Sequence, residues 1–413
     1  MHGSAGTQGR FFHGWWLVGV GFLLQGVATA AVSYSYGLVL APLAAEFSAT
    51  RFEMMLGISA CTLVGGMISP FLGVAIDRYS LRALACIGIV LLASGFFWLS
   101  LTRAMWQVTL AYALCMSVVM ILMGPVLVST MLARWFSRRR GLAMGIAALG
   151  TSACGFVLPP LLQWGIDGWG WREAYRAFAA TSALIMLPLV WLLVEDSPAR
   201  RGLQPDGDTA KPKAALATPV PAAASSTTEI LRRPDFWLVA LIVGVLMSVY
   251  SALLSNLAPL ATGRAASAET AAYLISTVAI FGMLGKLVFG MLADRIDLRA
   301  GLAAALALII VTLVLLIHGS SHPMLFVASA VLGLAAGGVL PVWGALMAVL
   351  FGATNYGRVM GLMNPVMMAI VLTGSPFAGW SYDATGDYAQ AFWTFTACCV
   401  LALLALARVR LPH

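Results

Sequence analysis

The sequence predicts an all-α membrane protein of twelve transmembrane helices, organised as two six-helix halves that are parallel repeats. Hydrophobic residues make up 61% of the 413 residues and charged residues only 10%, and the mean hydropathy is +0.92, values far from those of soluble domains. The apolar runs are continuous and about 20 residues long, as a helix that crosses the hydrocarbon core requires. The strands of a transmembrane β-barrel would instead show short segments of alternating polarity.

Polar stretches divide the apolar runs into twelve spans. Residues 1–14 form a polar N-terminal segment, and the run that follows is too long for the hydrophobic part of a signal peptide, so we expect it to be retained as the first span. The predicted spans are residues 15–40, 52–75, 81–101, 106–132, 141–165, 175–194, 236–261, 270–293, 300–318, 323–350, 358–381 and 389–408.

One long polar connection separates the sixth span from the seventh. Residues 195–234 contain six prolines and a run of serine and threonine at positions 225–228, a composition typical of a flexible linker. We therefore divide the chain into an N-terminal half, residues 15–194, this linker, and a C-terminal half, residues 235–413.

The positions of lysine and arginine predict the topology. Of the 24 basic residues, eighteen lie on the side of the N terminus and five on the opposite side, which leaves Lys286 inside a span. Basic loops remain on the cytoplasmic side, so both termini are expected in the cytoplasm of a plasma or inner membrane. This topology accounts for the net charge of +8 without a nucleic-acid partner.

A motif in the first half recurs in the second at an offset of 217 residues. Gly73-x-x-x-Asp77-Arg78-x-x-x-Arg82 matches Gly290-x-x-x-Asp294-Arg295-x-x-x-Arg299, and further matches follow in nearly the same register: Pro42 with Pro259, Pro125 with Pro341, Gly141 with Gly357, Gly145 with Gly361 and Pro159 with Pro376. Parallel repeats of this kind place a substrate site near the midplane, between the halves.

This repeated loop resembles the signature loop of the major facilitator superfamily, and the resemblance covers the whole chain. Within that superfamily the sequence is similar to the monocarboxylate transporter and oxalate/formate exchanger branch, on the segments His13-Gly14-Trp15-Trp16, Tyr34-Ser35-Tyr36-Gly37, 134–145 and Gly170-Trp171-Arg172. The resemblance implies a rocker-switch carrier of small organic anions. It also implies that Asp77, Arg78, Asp294 and Arg295 form a gating latch for the outward-facing state. Each carboxylate can cap the next helix or pair with basic residues across the halves, and the alternative to a latch is solvated charge that fixes the topology.

The sequence departs from that pattern at the eighth span. The branch usually has an arginine there, sometimes with an aspartate four residues earlier, and this chain has Lys286 and Gly282 at the matching positions. A lysine in mid-membrane costs at least about 2.5 kcal/mol, so it needs a compensating partner. We interpret Lys286 as an anion site, with Gly282 and Gly290 on the same helix face leaving room for a ligand. The alternative is a lysine whose side chain snorkels to the headgroups.

The acidic residues favour an anionic substrate. All sixteen aspartates and glutamates, and all five histidines, fall in loops or at span ends. A buried cation without a buried carboxylate favours an anion over a cation as the cargo. Two coupling modes stay open: anion exchange, if Lys286 stays charged, or proton symport, if the empty carrier loses the Lys286 proton.

Further substrate-binding candidates are polar side chains within spans. Tyr34 and Tyr36 can hydrogen-bond a carboxylate or anchor the helix at the interface. Ser152 can face the cavity or bond its own backbone.

Three candidates lie in the later spans. Asn256 can bind the substrate or bond a neighbouring helix, and Trp343 can form a cavity wall or pack in the core. Asn364 precedes Pro365, where a hinge is the alternative to direct binding. The glycine pairs Gly141/Gly145, Gly333/Gly337 and Gly357/Gly361 are expected to support close helix contact within a half.

The sequence contains no hydrolase, metalloprotease or complete phosphate-loop motif, and the spacing of the six cysteines fits no metal site. We therefore predict neither an enzyme nor a cofactor. The expected partners are a small carboxylate, protons in the symport mode, and membrane lipids, for a chain that functions as a monomer. The alternatives are an exporter of a neutral or hydrophobic metabolite and a transporter-like sensor that moves no substrate.

Overall fold

The computed structural model describes residues 12–207, 226–263, 268–319 and 321–409. Across these ranges the chain is helical and has no strand, and twelve helices are long and apolar enough to cross a membrane. This confirms the predicted fold class. Most of the predicted N-terminal segment and the middle of the predicted linker, residues 1–11 and 208–225, lie outside the described residues.

The first half contains helices α1 to α6. Two of them include a π-helical turn: α1 at Ala30–Tyr34 and α4 at Tyr112–Met116. The helices are α1 (Gly14–Thr29, Ala30–Tyr34 and Ser35–Phe47), α2 (Arg51–Arg78), α3 (Leu81–Ser100), α4 (Met105–Ala111, Tyr112–Met116, Ser117–Leu122 and Pro125–Trp135), α5 (Arg140–Trp169) and α6 (Trp171–Leu193).

The second half contains helices α7 to α12. A short helix, Thr227–Arg232, precedes it and begins with a capping box between Ser226 and Glu229. The helices are α7 (Pro234–Gly263), α8 (Ala268–Ala293), α9 (Leu298–His318), α10 (His322–Phe351), α11 (Tyr356–Thr385) and α12 (Ala389–Leu406).

The two halves meet along two seams, one between α5 and α8 and the other between α2 and α11. At each seam glycines bring the backbones into contact: a Cβ added to Gly141 would lie 2.7 Å from the carbonyl oxygen of Gly290, and one added to Gly361 would contact the carbonyl oxygen of Ser69. The prediction that Gly141/Gly145 and Gly357/Gly361 act within a half is therefore wrong, because both pairs form contacts between the halves. Gly333/Gly337 does pack within a half, against α8.

Residues 195–207 of the linker are docked on the first half. Asp196 accepts hydrogen bonds from the Ser80 hydroxyl at 3.0 Å and the Leu81 amide at 2.7 Å. Asp206 accepts bonds from the amides of Ser137 and Arg138, at 3.0 and 2.8 Å. The first residues of the linker therefore hold the loops that begin α3 and α5.

Candidate functional site

A cavity of about 540 Å³ lies between the halves and is lined by α1, α2, α4, α7, α10 and α11. Most of its wall is apolar, and five methionines contribute to it: Met120, Met247, Met360, Met367 and Met368. The polar groups in the wall are Ser33, Thr62, Ser117, Tyr250, Ser251, Trp343 and Asn364. An apolar pocket with a few polar groups is typical of a small-molecule site.

One end of this cavity is closed by two equivalent contacts between the halves. Asp77 at the end of α2 accepts hydrogen bonds from the amides of Gly357 and Arg358 at the start of α11, at 2.8 and 2.7 Å. Asp294 after α8 accepts bonds from the amides of Gly141 and Leu142 at the start of α5, at 2.6 and 2.8 Å. We call these two contacts the aspartate caps.

The aspartate caps are electrostatically favourable because each carboxylate meets the positive end of a helix dipole and two amides without an intrahelical acceptor. The sequence left open whether each carboxylate caps the next helix or pairs with basic residues. In the structure each caps a helix of the opposite half. Arg78 and Arg295 are exposed beside the caps, and burial raises the pKa of the Asp294 carboxyl while its two amide bonds lower it.

Lys286 lies in the α5–α8 seam. Its Nζ donates hydrogen bonds to the hydroxyls of Thr151 and Ser152 on α5, each at 2.8 Å. Among the described residues no carboxylate lies within ion-pair distance of it and its third N–H has no partner. Thr151 was not predicted, although two adjacent hydroxyl residues in the middle of an apolar helix are a signal that the sequence offered.

The Lys286 side chain points towards the middle of the bundle. Its backbone carbonyl contacts Gly145, yet its ammonium group reaches Thr151 and Ser152, which lie about 9 Å further from the Asp294 end at 1.5 Å per residue. A snorkelling lysine would extend to the nearest helix end. The direction of the side chain is therefore opposite to that of the snorkelling alternative.

The glycines on the Lys286 face differ in the space that they leave. A Cβ on Gly290 would lie 2.9 Å from the carbonyl oxygen of Gly141, whereas a Cβ on Gly282 would meet only the carbonyl oxygen of Gly333 among the described residues, at 3.6 Å. The predicted room beside Lys286 is therefore filled by helix backbone at Gly290 but not at Gly282.

The two tyrosines of α1 lie in different environments. Tyr34 ends the π-helical turn, is 47% exposed, and lays its ring against Gly155, about one turn beyond Ser152. Tyr36 is 4% exposed, and its ring centroid lies 4.6 Å from that of Tyr112 within the first half. Of the two, only Tyr34 lies near the Lys286 contact.

The remaining candidates are divided between the cavity and the helix contacts. Trp343 and Asn364 both line the cavity, and Asn364 Nδ2 also donates to the Ser69 hydroxyl at 2.9 Å across the α2–α11 seam. Asn256 accepts a hydrogen bond from the Tyr388 hydroxyl at 3.2 Å, which is the helix–helix alternative. Lys286 is absent from the cavity wall, so the structure forms two groups, Lys286 with Ser152 and Trp343 with Asn364.

Comparisons with known proteins match most of the length of the chain. The family model for the Major Facilitator Superfamily matches residues 21–265 and 245–413. Monocarboxylate transporter 11 of Mus musculus is 27% identical over 92% of this chain and 83% of that protein. Monocarboxylate transporter 12 of Mus musculus is 25% identical over 96% of this chain and 86% of that protein.

Two solved structures share the fold at low sequence identity. The transporter FucP, in the outward conformation, is 15% identical, with a TM-score of 0.67 over 97% of this chain and 99% of that one. The human organic anion transporter MFSD10 is 18% identical, with a TM-score of 0.64 over 96% of this chain and 97% of that one. These similarities concern the fold alone.

Proposed function

Since this chain belongs to the major facilitator superfamily, we propose that it carries a small organic anion of the monocarboxylate type by alternating access, with Lys286 as the charge partner. The observation that carries the proposal is the Lys286 ammonium group, which lies between the halves, points into the bundle and has one N–H without a partner among the described residues. The names of the curated relatives support the same substrate class.

The charge at Lys286 couples binding to movement. Two hydroxyl groups leave the positive charge of Lys286 uncompensated, and a carboxylate would both neutralise it and accept its third hydrogen bond. Because Thr151 and Ser152 belong to the opposite half, a substrate that replaces them would release a contact across the seam. Binding would thus lower the barrier to reorientation.

The aspartate caps fit the outward-facing state of such a carrier. The predicted topology puts Asp77 and Asp294 at the cytoplasmic end, and their closure would leave the cavity accessible from the outside. We propose that both termini are cytoplasmic, that the membrane is the plasma or inner membrane, and that Arg78 and Arg295 take part in the gate.

Coupling can take either of two forms. If Lys286 stays protonated when empty, the carrier exchanges anions, and if it releases its proton, each anion enters with one proton. Uptake driven by an imposed pH gradient is expected only for symport, whereas counterflow without a gradient is expected for both. Proteoliposomes tested in both ways separate them.

The function is tested by ligand-dependent thermal stability and counterflow. Purified protein is screened with lactate, pyruvate, oxalate, formate and benzoate, because a ligand that binds only the folded state raises its Tm. We expect one carboxylate class to raise the Tm and to be transported, and Lys286→Gln to weaken both effects strongly. Arg103→Gln, at an exposed arginine in the loop between α3 and α4, serves as the control and should retain them.

A second candidate is an exporter of a neutral or hydrophobic metabolite. The observation that favours it is the largely apolar cavity wall, from which Lys286 is absent. If Lys286→Gln transports as well as the wild type, or if no anion changes the Tm, the organic-anion proposal is wrong and this candidate takes its place.

A further inference from the structure

A second cavity, of about 620 Å³, lies at the end of the bundle that the aspartate caps close. It spans the α5–α8 seam, with walls from the start of α1, the α4–α5 loop, the start of α5 and the end of α8. Trp15, Phe136 and Met291 contribute apolar surface, and Arg139 and Arg295 contribute guanidinium groups. We call it the seam pocket.

The two carboxylates of the seam pocket are already bonded to backbone. Both oxygens of Asp294 accept amide hydrogens of α5. One oxygen of Asp206 accepts the amides of Ser137 and Arg138 and lies 3.9 Å from Arg138 Nε. The other oxygen of Asp206 is buried and has no donor among the described residues, so a ligand that fits must also offer a hydroxyl or N–H group there.

The cations that remain available belong to opposite halves. Arg139 precedes α5 in the first half and Arg295 follows α8 in the second, and neither side chain has a hydrogen-bond or ion-pair partner in the described ranges of the chain. Two guanidinium groups that face one pocket repel each other. A phosphate group can accept hydrogen bonds from both, and arginine is well suited to phosphate.

The depth and polarity of the pocket indicate the source of the phosphate. Its walls come from the ends of three spanning helices, the level at which lipid headgroups lie. Beneath the arginines, Trp15 and the 46% exposed Met291 present apolar surface to the start of an acyl chain. A soluble anion would use the arginines but not this apolar surface.

We propose that the seam pocket binds an anionic phospholipid whose headgroup carries a hydroxyl, such as phosphatidylglycerol. Its phosphate bridges Arg139 and Arg295, and its headgroup hydroxyl donates to Asp206. Basic pockets between transmembrane helices are suited to anionic headgroups. Because the two arginines come from different halves, the bound lipid adds a contact across the α5–α8 seam and favours the state in which the Asp294 cap is closed.

The test compares nanodiscs of phosphatidylcholine with nanodiscs that also contain phosphatidylglycerol. We expect phosphatidylglycerol to raise the Tm of the wild type by several degrees, and to copurify with it through delipidation, as measured by mass spectrometry. The double variant Arg139→Gln/Arg295→Gln should lose both effects. Arg103→Gln, an exposed arginine at the opposite end, should retain them.

Further measurements with this test distinguish the lipid from bulk charge and from a soluble anion. An equal response in the double variant would overturn the proposal, since the lipid would then act through bulk charge. A shift caused by inorganic phosphate in phosphatidylcholine would assign the site to a soluble anion and overturn the lipid assignment. If the double variant fails to fold, Arg139→Gln and Arg295→Gln alone should each lose most of the shift, and Asp294→Asn should reduce it by loosening the seam.

Discussion

The two seams between the halves are alike at one end and different in the middle. At the closed end, Asp294 caps α5 at Gly141 in one seam and Asp77 caps α11 at Gly357 in the other. The sequence repeat relates the two aspartates to each other and the two glycines to each other. Further along, Lys286 donates to Thr151 and Ser152 in the α5–α8 seam. The residue 217 positions before Lys286 is Ser69, which in the α2–α11 seam accepts a neutral hydrogen bond from Asn364.

On the proposed function, this difference between the seams separates closure from substrate recognition. Closing one end requires both seams to come together, so the repeat retains the same carboxylate, amides and glycines in each. A hydrogen bond between an amide and a hydroxyl contributes only about 1 kcal/mol and leaves no net charge, whereas a buried ammonium needs an anion. The α2–α11 seam can therefore act as a structural contact, while the α5–α8 seam responds to charge.

The largest effect is expected from placing a bulky side chain at a glycine where the two halves meet. In Gly141→Leu and Gly357→Leu a new Cβ would lie 2.7 Å from the Gly290 carbonyl oxygen and 2.8 Å from Asp77 Oδ1, respectively. Overpacking of this kind costs about 1–3 kcal/mol or more, so both variants should lose at least about tenfold in counterflow rate. A much larger loss of counterflow rate in one variant would show that the two seams are not equivalent at this end.

Gly379→Leu and Gly19→Leu are matched controls for this prediction. Both glycines lie within spanning helices, one in each half, and a Cβ at either position meets nothing within 4 Å. They should transport at nearly the wild-type rate, which would show that leucine in a spanning helix is not harmful in itself.

The next effect concerns the repeat-related pair Lys286 and Ser69. Lys286→Gln should weaken the apparent affinity for the anion by about 10- to 150-fold, since a hydrogen bond to a charged group contributes about 1.5–3 kcal/mol. Ser69→Ala should change affinity by less than about twofold, because the partner of its hydroxyl among the described residues is the neutral Asn364 amide. Counterflow at varied substrate concentration measures the apparent affinity of both variants. Similar losses of affinity in the two would show that charge is not what distinguishes the seams.

The sequence predicted the fold well because span length and continuous apolarity are direct signals of membrane helices. The π-helical turns in α1 and α4 leave no such signal, and one of them orients Tyr34. The repeat also identified Asp77 and Asp294 as a pair, and identified Gly141 and Gly357 as another. It could not show that each aspartate caps the glycine helix of the opposite half, because a repeat gives equivalence but not which helices touch.

The candidate site was predicted less completely. Lys286 was identified from its energetic cost alone, but its partners Thr151 and Ser152 depend on which helix faces α8. The same reasoning selected Tyr34 and Tyr36, but Tyr36, two residues further on, is buried against Tyr112. The binding roles of Lys286, Tyr34, Trp343, Asn364 and Ser152 remain predictions, and Lys286→Gln tests the first of them.

A smaller effect is expected from residues 195–207, which form a strap over the loops of the first half. Asp206 caps the loop before α5, whereas the equivalent loop before α11 closes on itself, through Asn355 Nδ2 and the Phe351 carbonyl at 3.2 Å. Asp206→Ala leaves two amides without their acceptor and should cost about 1–2 kcal/mol, seen as a Tm lower by a few degrees. Asp206→Asn should recover part of it, and an unchanged Tm for Asp206→Ala would show that the strap adds nothing to the first half.

The smallest effect is a pH dependence of the Asp294 cap. Burial raises the pKa of Asp294 in the closed state, with Asp206 nearby raising it further and Arg140 lowering it. In the open state the carboxyl would be hydrated and titrate at its ordinary value, so closure takes up protons and acidification favours the closed state. The change is confined to pH values between the ordinary and the raised pKa of Asp294, and each unit of difference in pKa contributes only about 1.4 kcal/mol.

The distance between spin labels at the exposed positions Tyr79 and Ile296, in a cysteine-free background, should therefore move towards the closed value as the pH falls from 7 to about 4.5. Because the Asp77 cap is equivalent, Asp294→Asn should weaken this dependence and Asp77→Asn/Asp294→Asn should flatten it. Movement towards the open value on acidification would show that the amide bonds to the ionised carboxylate outweigh its desolvation.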